Sequence, residues 1–208
     1  MAELPHQPNR VPSDEDLMCD FQKGDVRAFQ VLVERYQKPI FNFVFRYLKN
    51  REAAEESHQE VFLRLVKAAG EYRPTAKFST WLYTLARNFC IDQNRKNVFR
   101  NHQSLDEKIG NDETFSRLDR ISSNEPGADD KSSAKQLEEH LYRILDELNP
   151  EQKDVFLMRE MQQLSFEEIA EITKVSSNTV KSRMRYALQA IQKKFAELGL
   201  VSRSFQRD

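Results

Sequence analysis

An all-α fold, two small helical domains joined by a flexible acidic linker, is predicted by three observations. Five glycines in 208 residues leave few of the tight turns that a β-rich fold needs. Apolar residues recur at steps of three and four through 13–100 and again through 137–197, which marks amphipathic helices. Between these stretches, residues 101–136 are dominated by Ser, Asn, Asp, Glu and Gly and are broken by Pro126-Gly127, a composition that cannot bury a core.

Taken in order, residues 1–12 hold three prolines and no periodicity, and are expected to be a disordered lead. Ser13 caps a short helix whose first turn, Asp14-Glu15-Asp16, complements the helix dipole, and Lys23-Gly24 ends it. From Asp25 one long stripe follows through Val26, Phe29, Val33, Tyr36, Ile40, Phe43, Val44, Tyr47 and Leu48. Pro39 lies inside it and is expected to bend or split the helix. A third helix over 52–69 buries Ala54, Val61, Phe62 and Leu65, and GEYRPTAK over 70–77 is a loop. Ser79 or Thr80 starts a fourth helix burying Trp81, Leu82, Leu85 and Phe89, with a polar, basic tail ending near 100.

Beyond the 101–136 linker, periodicity returns with Leu137, Leu141, Ile144, Leu145 and Leu148. Asn149-Pro150 supplies a cap and a first-turn proline for a helix that buries Val155, Phe156 and Met161. Ser165-x-x-Glu168 is a capping box for a short helix with Ile169, Ala170 and Ile172. After a turn over 173–176, Ser176 or Ser177 caps a long helix to about Glu197, with Val180, Met184 and Leu188 on its buried stripe, and 198–208 form a tail.

The formal net charge of −1 argues, as a bulk number, against nucleic acid. Divided at the boundaries above, it becomes −4 for 1–20, +7 for 21–100, −3 for the linker, −6 for 137–175 and +5 for 176–208. Two basic zones are thus flanked by acidic ones. The longest apolar run, Val155 to Met158, is too short to enter a membrane. The opening MAELPHQPNRVPSDED lacks the order of a signal peptide, so Cys19 and Cys90 are expected to be reduced thiols in the cytoplasm. The four histidines are isolated from one another and from cysteine, no phosphate-cradling glycine loop occurs, and no nucleophile–base pairing emerges. No cofactor, metal or enzymatic activity is expected.

LSFEEIAEIT followed by a turn and SSNTVKSRMRYALQAI has the spacing of a helix-turn-helix, whose second helix enters the major groove amino-terminus first. Its leading polar residues are Ser177, Asn178, Thr179, Lys181, Ser182 and Arg185; an amphipathic hairpin with a solvated basic face would show the same pattern. The fourth helix carries Arg87, Asn88, Gln93, Asn94, Arg95, Lys96 and Arg100, near Tyr72, Phe78 and Phe89. Cations beside aromatic rings suit single-stranded nucleic acid, although the aromatic spacing, with Trp81, is that of a packing stripe. The acidic turn EESHQE on the third helix could dock a basic partner, but by its spacing alone it reads as a solvated face.

Five segments in this order resemble a bacterial sigma factor of the extracytoplasmic-function group: KGDVRAFQVLVERYQKPIF, EESHQEVFLRLVKA, KFSTWLYTLARNFCIDQNRK, LNPEQKDVFLMREMQQLSFEEIAEI and NTVKSRMRYAL. The resemblance covers about residues 13–197. It implies a sigma region 2 helical bundle over 13–100 and a sigma region 4 helix-turn-helix domain over 137–197. The implied function is recruitment of core RNA polymerase to specific promoters, with assistance to DNA opening. It further implies that the third helix binds the clamp coiled coil of the polymerase beta-prime subunit through Glu56, Gln59, Glu60, Phe62 and Leu63. The loop 70–77 with Asn88 would hold a base flipped from the minus-ten element, helped by Tyr72, Lys77, Arg87 and Arg95. Ser177, Thr179, Lys181, Ser182, Arg183 and Arg185 would read the minus-thirty-five duplex. An anti-sigma factor is an implied further partner. Three departures stand out: Glu56 replaces the usual Asp, Lys174 the usual turn Gly, and Tyr186 and Leu188 residues that are often basic. From the residues alone, an autonomous helix-turn-helix regulator explains 137–197 but gives 13–100 no role.

Overall fold

A computed structural model describes residues 11–103, 137 and 140–199, with side chains described outside 97–103. Residues 1–10 of the expected lead, most of the linker and the tail beyond 199 lie outside these residues. The chain divides into two compact units, Met1–Arg100 and Asn101–Asp208. Among the described residues every regular element is helical, and no helix is long and apolar enough to cross a membrane.

The first unit contains α1 (Asp14–Gln22), α2 (Val26–Leu48), α3 (Arg51–Ala68), a short 3₁₀ turn (Ala69–Glu71) and α4 (Phe78–Gln103). Helix starts follow local chemistry. Ser13 and Asp16 form a reciprocal capping box on α1, Asp25 caps α2, and Asn50 caps α3. Lys49, in the left-handed region at φ 57°, turns the chain between α2 and α3. The core is formed by Met18, Leu32, Ile40, Phe43, Val61, Leu65, Phe78 and Leu82. Each such side chain contributes about 1.5–3 kcal/mol on burial. Phe21 stacks on Phe29 to join α1 to α2, and Phe43 meets the edge of Tyr83 to join α2 to α4.

Several sequence expectations are corrected here. Helix α2 is continuous through Pro39, so the chain does not split there. The proline removes one backbone hydrogen bond, and burial of Ile40, Phe43 and Val44 immediately after it holds the next turn in place. The buried arc of α2 centres on Leu32, Ile40 and Phe43, leaving Val26 at its edge and 70% exposed. On α4, burial falls on Leu82, Tyr83, Ala86, Phe89 and Cys90, while Trp81 and Leu85 are only half-buried. Helix α4 also continues to Gln103, past the expected boundary at 100.

The second unit contains α5 (140–147), α6 (Pro150–Phe156), a π-helical turn (Leu157–Met161), α7 (Phe166–Thr173) and α8 (Ser177–Glu197). Asn149 accepts from the Glu151 N–H and Pro150 takes the first turn, as expected. The π turn was not expected. Its extra residue shifts the inward face, so Leu157 and Met158 are buried and Met161 is only half-buried. Leu137 is exposed, as is Leu188; Ala187 takes the buried place on α8 with Val180, Met184 and Ile191.

Candidate nucleic-acid interface

The α7–turn–α8 segment is built by three local devices. Ser165 and Glu168 bond each other's backbone N–H groups, at 2.7 and 3.1 Å, and start α7. Lys174 ends it in the left-handed conformation, φ 56° and ψ 42°, where its N–H donates to the Ala170 carbonyl. Ser176 Oγ accepts from the Thr179 N–H at 3.1 Å and starts α8. A left-handed conformation at this non-glycine residue costs about 1–2 kcal/mol relative to glycine.

On α8 the expected DNA residues separate into three groups. Ser177 donates to Glu167 Oε1 at 3.2 Å and the Thr179 hydroxyl lies 2.8 Å from that of Ser176, so both are engaged in closing the turn. Arg183 pairs with Glu151 at 3.1 Å, tying α8 to α6, so its guanidinium is engaged within the unit. Lys181 and Arg185 are exposed and Ser182 is half-buried. At 100° per residue, Asn178, Lys181, Ser182, Arg185 and Leu188 share the face opposite Val180 and Ala187. Arg185 stacks on Tyr186, 5.1 Å from the ring centroid, and Lys181 lies 6.0 Å from the ring of Phe166. The guanidinium thus sits preorganised on an exposed aromatic plane.

In the first unit, the 70–77 loop is held from within and from α1. Arg73 donates to the carbonyls of Gly70 and Tyr72, both at 2.9 Å. Gln22 donates to those of Ala69 and Tyr72 at 2.7 and 3.0 Å. Glu15 Oε1 accepts from the Phe78 N–H at 2.8 Å. Tyr72, expected on the DNA, is buried instead: its ring packs on Trp81 at 5.1 Å and Phe78 at 6.0 Å, and its hydroxyl donates to the Ala76 carbonyl. It shapes the loop and is not available for base stacking. Burial, helped by nearby negative groups, pushes its hydroxyl up to about 12.

Lys77, Asn88 and Arg95 are exposed and Arg87 is half-buried. Trp81, Asn88 and Arg95 stand seven residues apart and fall on one line along α4. Sequence reasoning assigned Trp81 to the core; the 81/88/95 spacing was the signal that would have found it. A partly exposed indole, an amide and a guanidinium in a row can stack on, hydrogen-bond and neutralise an unpaired strand.

Helix α3 presents a third surface. Glu52, Glu56, Gln59, Leu63 and Val66 form one exposed stripe, with Leu63 54% and Val66 42% exposed. Of the expected contacts on this helix, Glu60 is half-buried and paired with Arg64 at 3.3 Å. Phe62 is turned into the bundle against His58, as the apolar stripe of this helix predicts, so of the contacts implied by the resemblance it stands apart from the exposed stripe. Val66 was missed because a lone apolar residue near a helix end carries no periodic signal of exposure.

Residues 32–100 match the family model for Sigma-70 region 2, and residues 138–191 that for Sigma-70, region 4. The chain is 30% identical over 190 residues to the ECF RNA polymerase sigma-E factor of Escherichia coli K12, covering 89% of this chain and 96% of that protein. It is 29% identical over 181 residues to the RNA polymerase sigma-H factor of Pseudomonas aeruginosa, covering 86% and 92%. The fold is similar to that of CnrH solved with the cytosolic domain of CnrY, at TM-score 0.65 and 17% identity over 89% of this chain and 99% of that one. It is also similar to the sigma factor RpoE solved with the anti-sigma factor NepR from Bartonella quintana, at TM-score 0.65 and 18% identity over 82% and 98%.

Proposed function

The chain belongs to the extracytoplasmic-function group of RNA polymerase sigma factors, and from that premise we propose how its surfaces divide the work of initiation. It is an alternative sigma factor that directs RNA polymerase to promoters. The α3 stripe, Glu56, Gln59 and Leu63 with Val66 and Glu52, docks the clamp coiled coil of core polymerase. Exposed apolar side chains beside carboxylates suit a helical partner with basic and apolar positions. The 70–77 loop with Lys77, Arg87, Asn88 and Arg95 receives the opened minus-ten strand, and Trp81 joins that set. The α8 face of Lys181, Ser182 and Arg185 reads the minus-thirty-five duplex, with Asn178 beside them. The protein works in the cytoplasm and is restrained there by an anti-sigma factor.

One observation carries this reading: each unit exposes a helix face bearing an amide beside cations, Asn88 and Arg95 on α4 and Asn178, Lys181 and Arg185 on α8. No motor is required for melting if the opened strand binds better than the duplex. Unstacking a base costs a few kcal/mol, which stacking and hydrogen bonds in a pocket offset. The cations supply the sequence-independent affinity. Run-off transcription with purified core polymerase, on promoters selected from a randomised library, tests the function. The expected result is a promoter-specific transcript that requires this chain, with co-elution of chain and core. DNA selection equally strong without core, and no transcript with it, would indicate an autonomous regulator. Asn88→Ala should impair opening, read as permanganate reactivity at the start site, while recruitment to duplex survives.

A further inference from the structure

We infer that α1 is a two-point clamp on the strand-binding loop, with Glu15 and Gln22 as positioning residues for capture of the unpaired base. The inference rests on the assignment of the 70–77 loop and Asn88 to the opened strand. Glu15 and Gln22 are seven residues apart, so they lie on one face of α1, separated by about 10.5 Å along its axis. Each reaches one end of the loop. Gln22 donates to the Ala69 and Tyr72 carbonyls where the chain leaves the 3₁₀ turn. Glu15 accepts from the N–H of Phe78, the first residue of α4. That N–H has no partner inside its own helix, and a carboxylate there also favours the helix dipole.

The clamp is anchored on both sides. Between its two arms, on the same face, Met18 is fully buried and Cys19 half-buried. Behind it, Asp14 accepts from Arg35 Nη1 and from the Tyr36 hydroxyl, each at 2.5 Å, fixing α1 to α2. The Tyr36 ring in turn meets Phe78 edge-on at 5.4 Å. Both arms bind backbone atoms. They therefore set the path of the loop whatever its side chains are, and leave Lys77 and Asn88 to meet DNA. Residues 14–22 precede the 32–100 segment that matches Sigma-70 region 2.

The test uses the full chain assembled with core polymerase. The probe is a forked DNA, duplex upstream and single-stranded on the non-template strand downstream, its sequence selected from a random library by the unaltered protein. Glu15→Ala and Gln22→Met, which remove one and two hydrogen bonds, should each lower fork affinity about three- to tenfold, with affinity for upstream duplex and for core changed less than about twofold. Glu15→Gln should bind the fork as the unaltered protein does, because its amide oxygen accepts from the same N–H. If Asn88→Ala weakens the fork while both clamp variants bind normally, the clamp is wrong and the pocket assignment stands. If Asn88→Ala also binds normally, the pocket assignment falls, and the clamp's role with it. Equal losses on fork, duplex and core, with Glu15→Gln no better than Glu15→Ala, would reduce α1 to general stability and overturn the proposal.

Discussion

Arg183 and Arg185 stand two positions apart on α8, and their surroundings give them different work. Arg183 is committed to Glu151, so Arg183→Ala should cost at most about 1 kcal/mol of stability and leave base reading unchanged. Arg185 is exposed on Tyr186. Arg185→Ala should weaken binding to the upstream element by ~1–3 kcal/mol and spare affinity for core. An equal loss on a scrambled upstream element would make it a phosphate contact. Lys174 is the other residue whose backbone decides its effect. At φ 56° glycine is the unstrained residue, so Lys174→Gly should stabilise the second unit by about 1 kcal/mol. Urea unfolding followed by circular dichroism would show this as a later midpoint. The need for a turn at 173–176 was legible in the sequence, since the capping signals around it are local. Which arginine faces outward was not, because that depends on where α6 lies.

At the level of elements, the packing of α2 on α3 contains a titratable group. His58 lies between Phe41 and Phe62, with ring centroids at 6.1 and 5.1 Å. Its Nε2 is buried with no hydrogen-bond partner among the described residues. Burial lowers its pKa below the ordinary 6.5, opposed by a hydrogen bond with the Gln37 backbone. The unfolded chain therefore takes up this proton first, and stability falls as pH drops through 6.5 and below. Above that value the group is neutral in both states and contributes no slope. The midpoint of urea unfolding, followed by Trp81 fluorescence, should decrease between pH 7.5 and 5.5, about one unit either side of the histidine value. His58→Leu should flatten the part of that slope due to His58. A slope unchanged in the variant would place the titration elsewhere. The sequence marked α3 as a helix with an acidic face, and the resemblance placed Leu63 on its contact surface, but nothing in the sequence marked the exposure of Val66 beside it. Hydropathy names what is apolar; burial follows from which neighbour covers it.

Across the whole chain, a formal net charge of −1 conceals a +7 segment over 21–100 and a +5 segment over 176–208, with acidic stretches beside them. Eight acidic residues in 101–136 should discourage the free protein from binding bulk DNA. Replacing them with Asn and Gln should raise affinity for a non-specific duplex by roughly tenfold at low salt, with the gain shrinking as salt rises. Anisotropy of a labelled random duplex across a salt series would measure it. By itself the sequence determined the helices, most of their caps and the family, because capping and periodicity act over three or four residues and survive without a neighbour. The tertiary structure alone decided that Tyr72 turns inward, that Trp81 stays partly exposed, that Leu188 turns out, and that α1 reaches Phe78 across 63 residues of chain. One residue rotates a helix face by 100°, and only the packed neighbours select which face is buried.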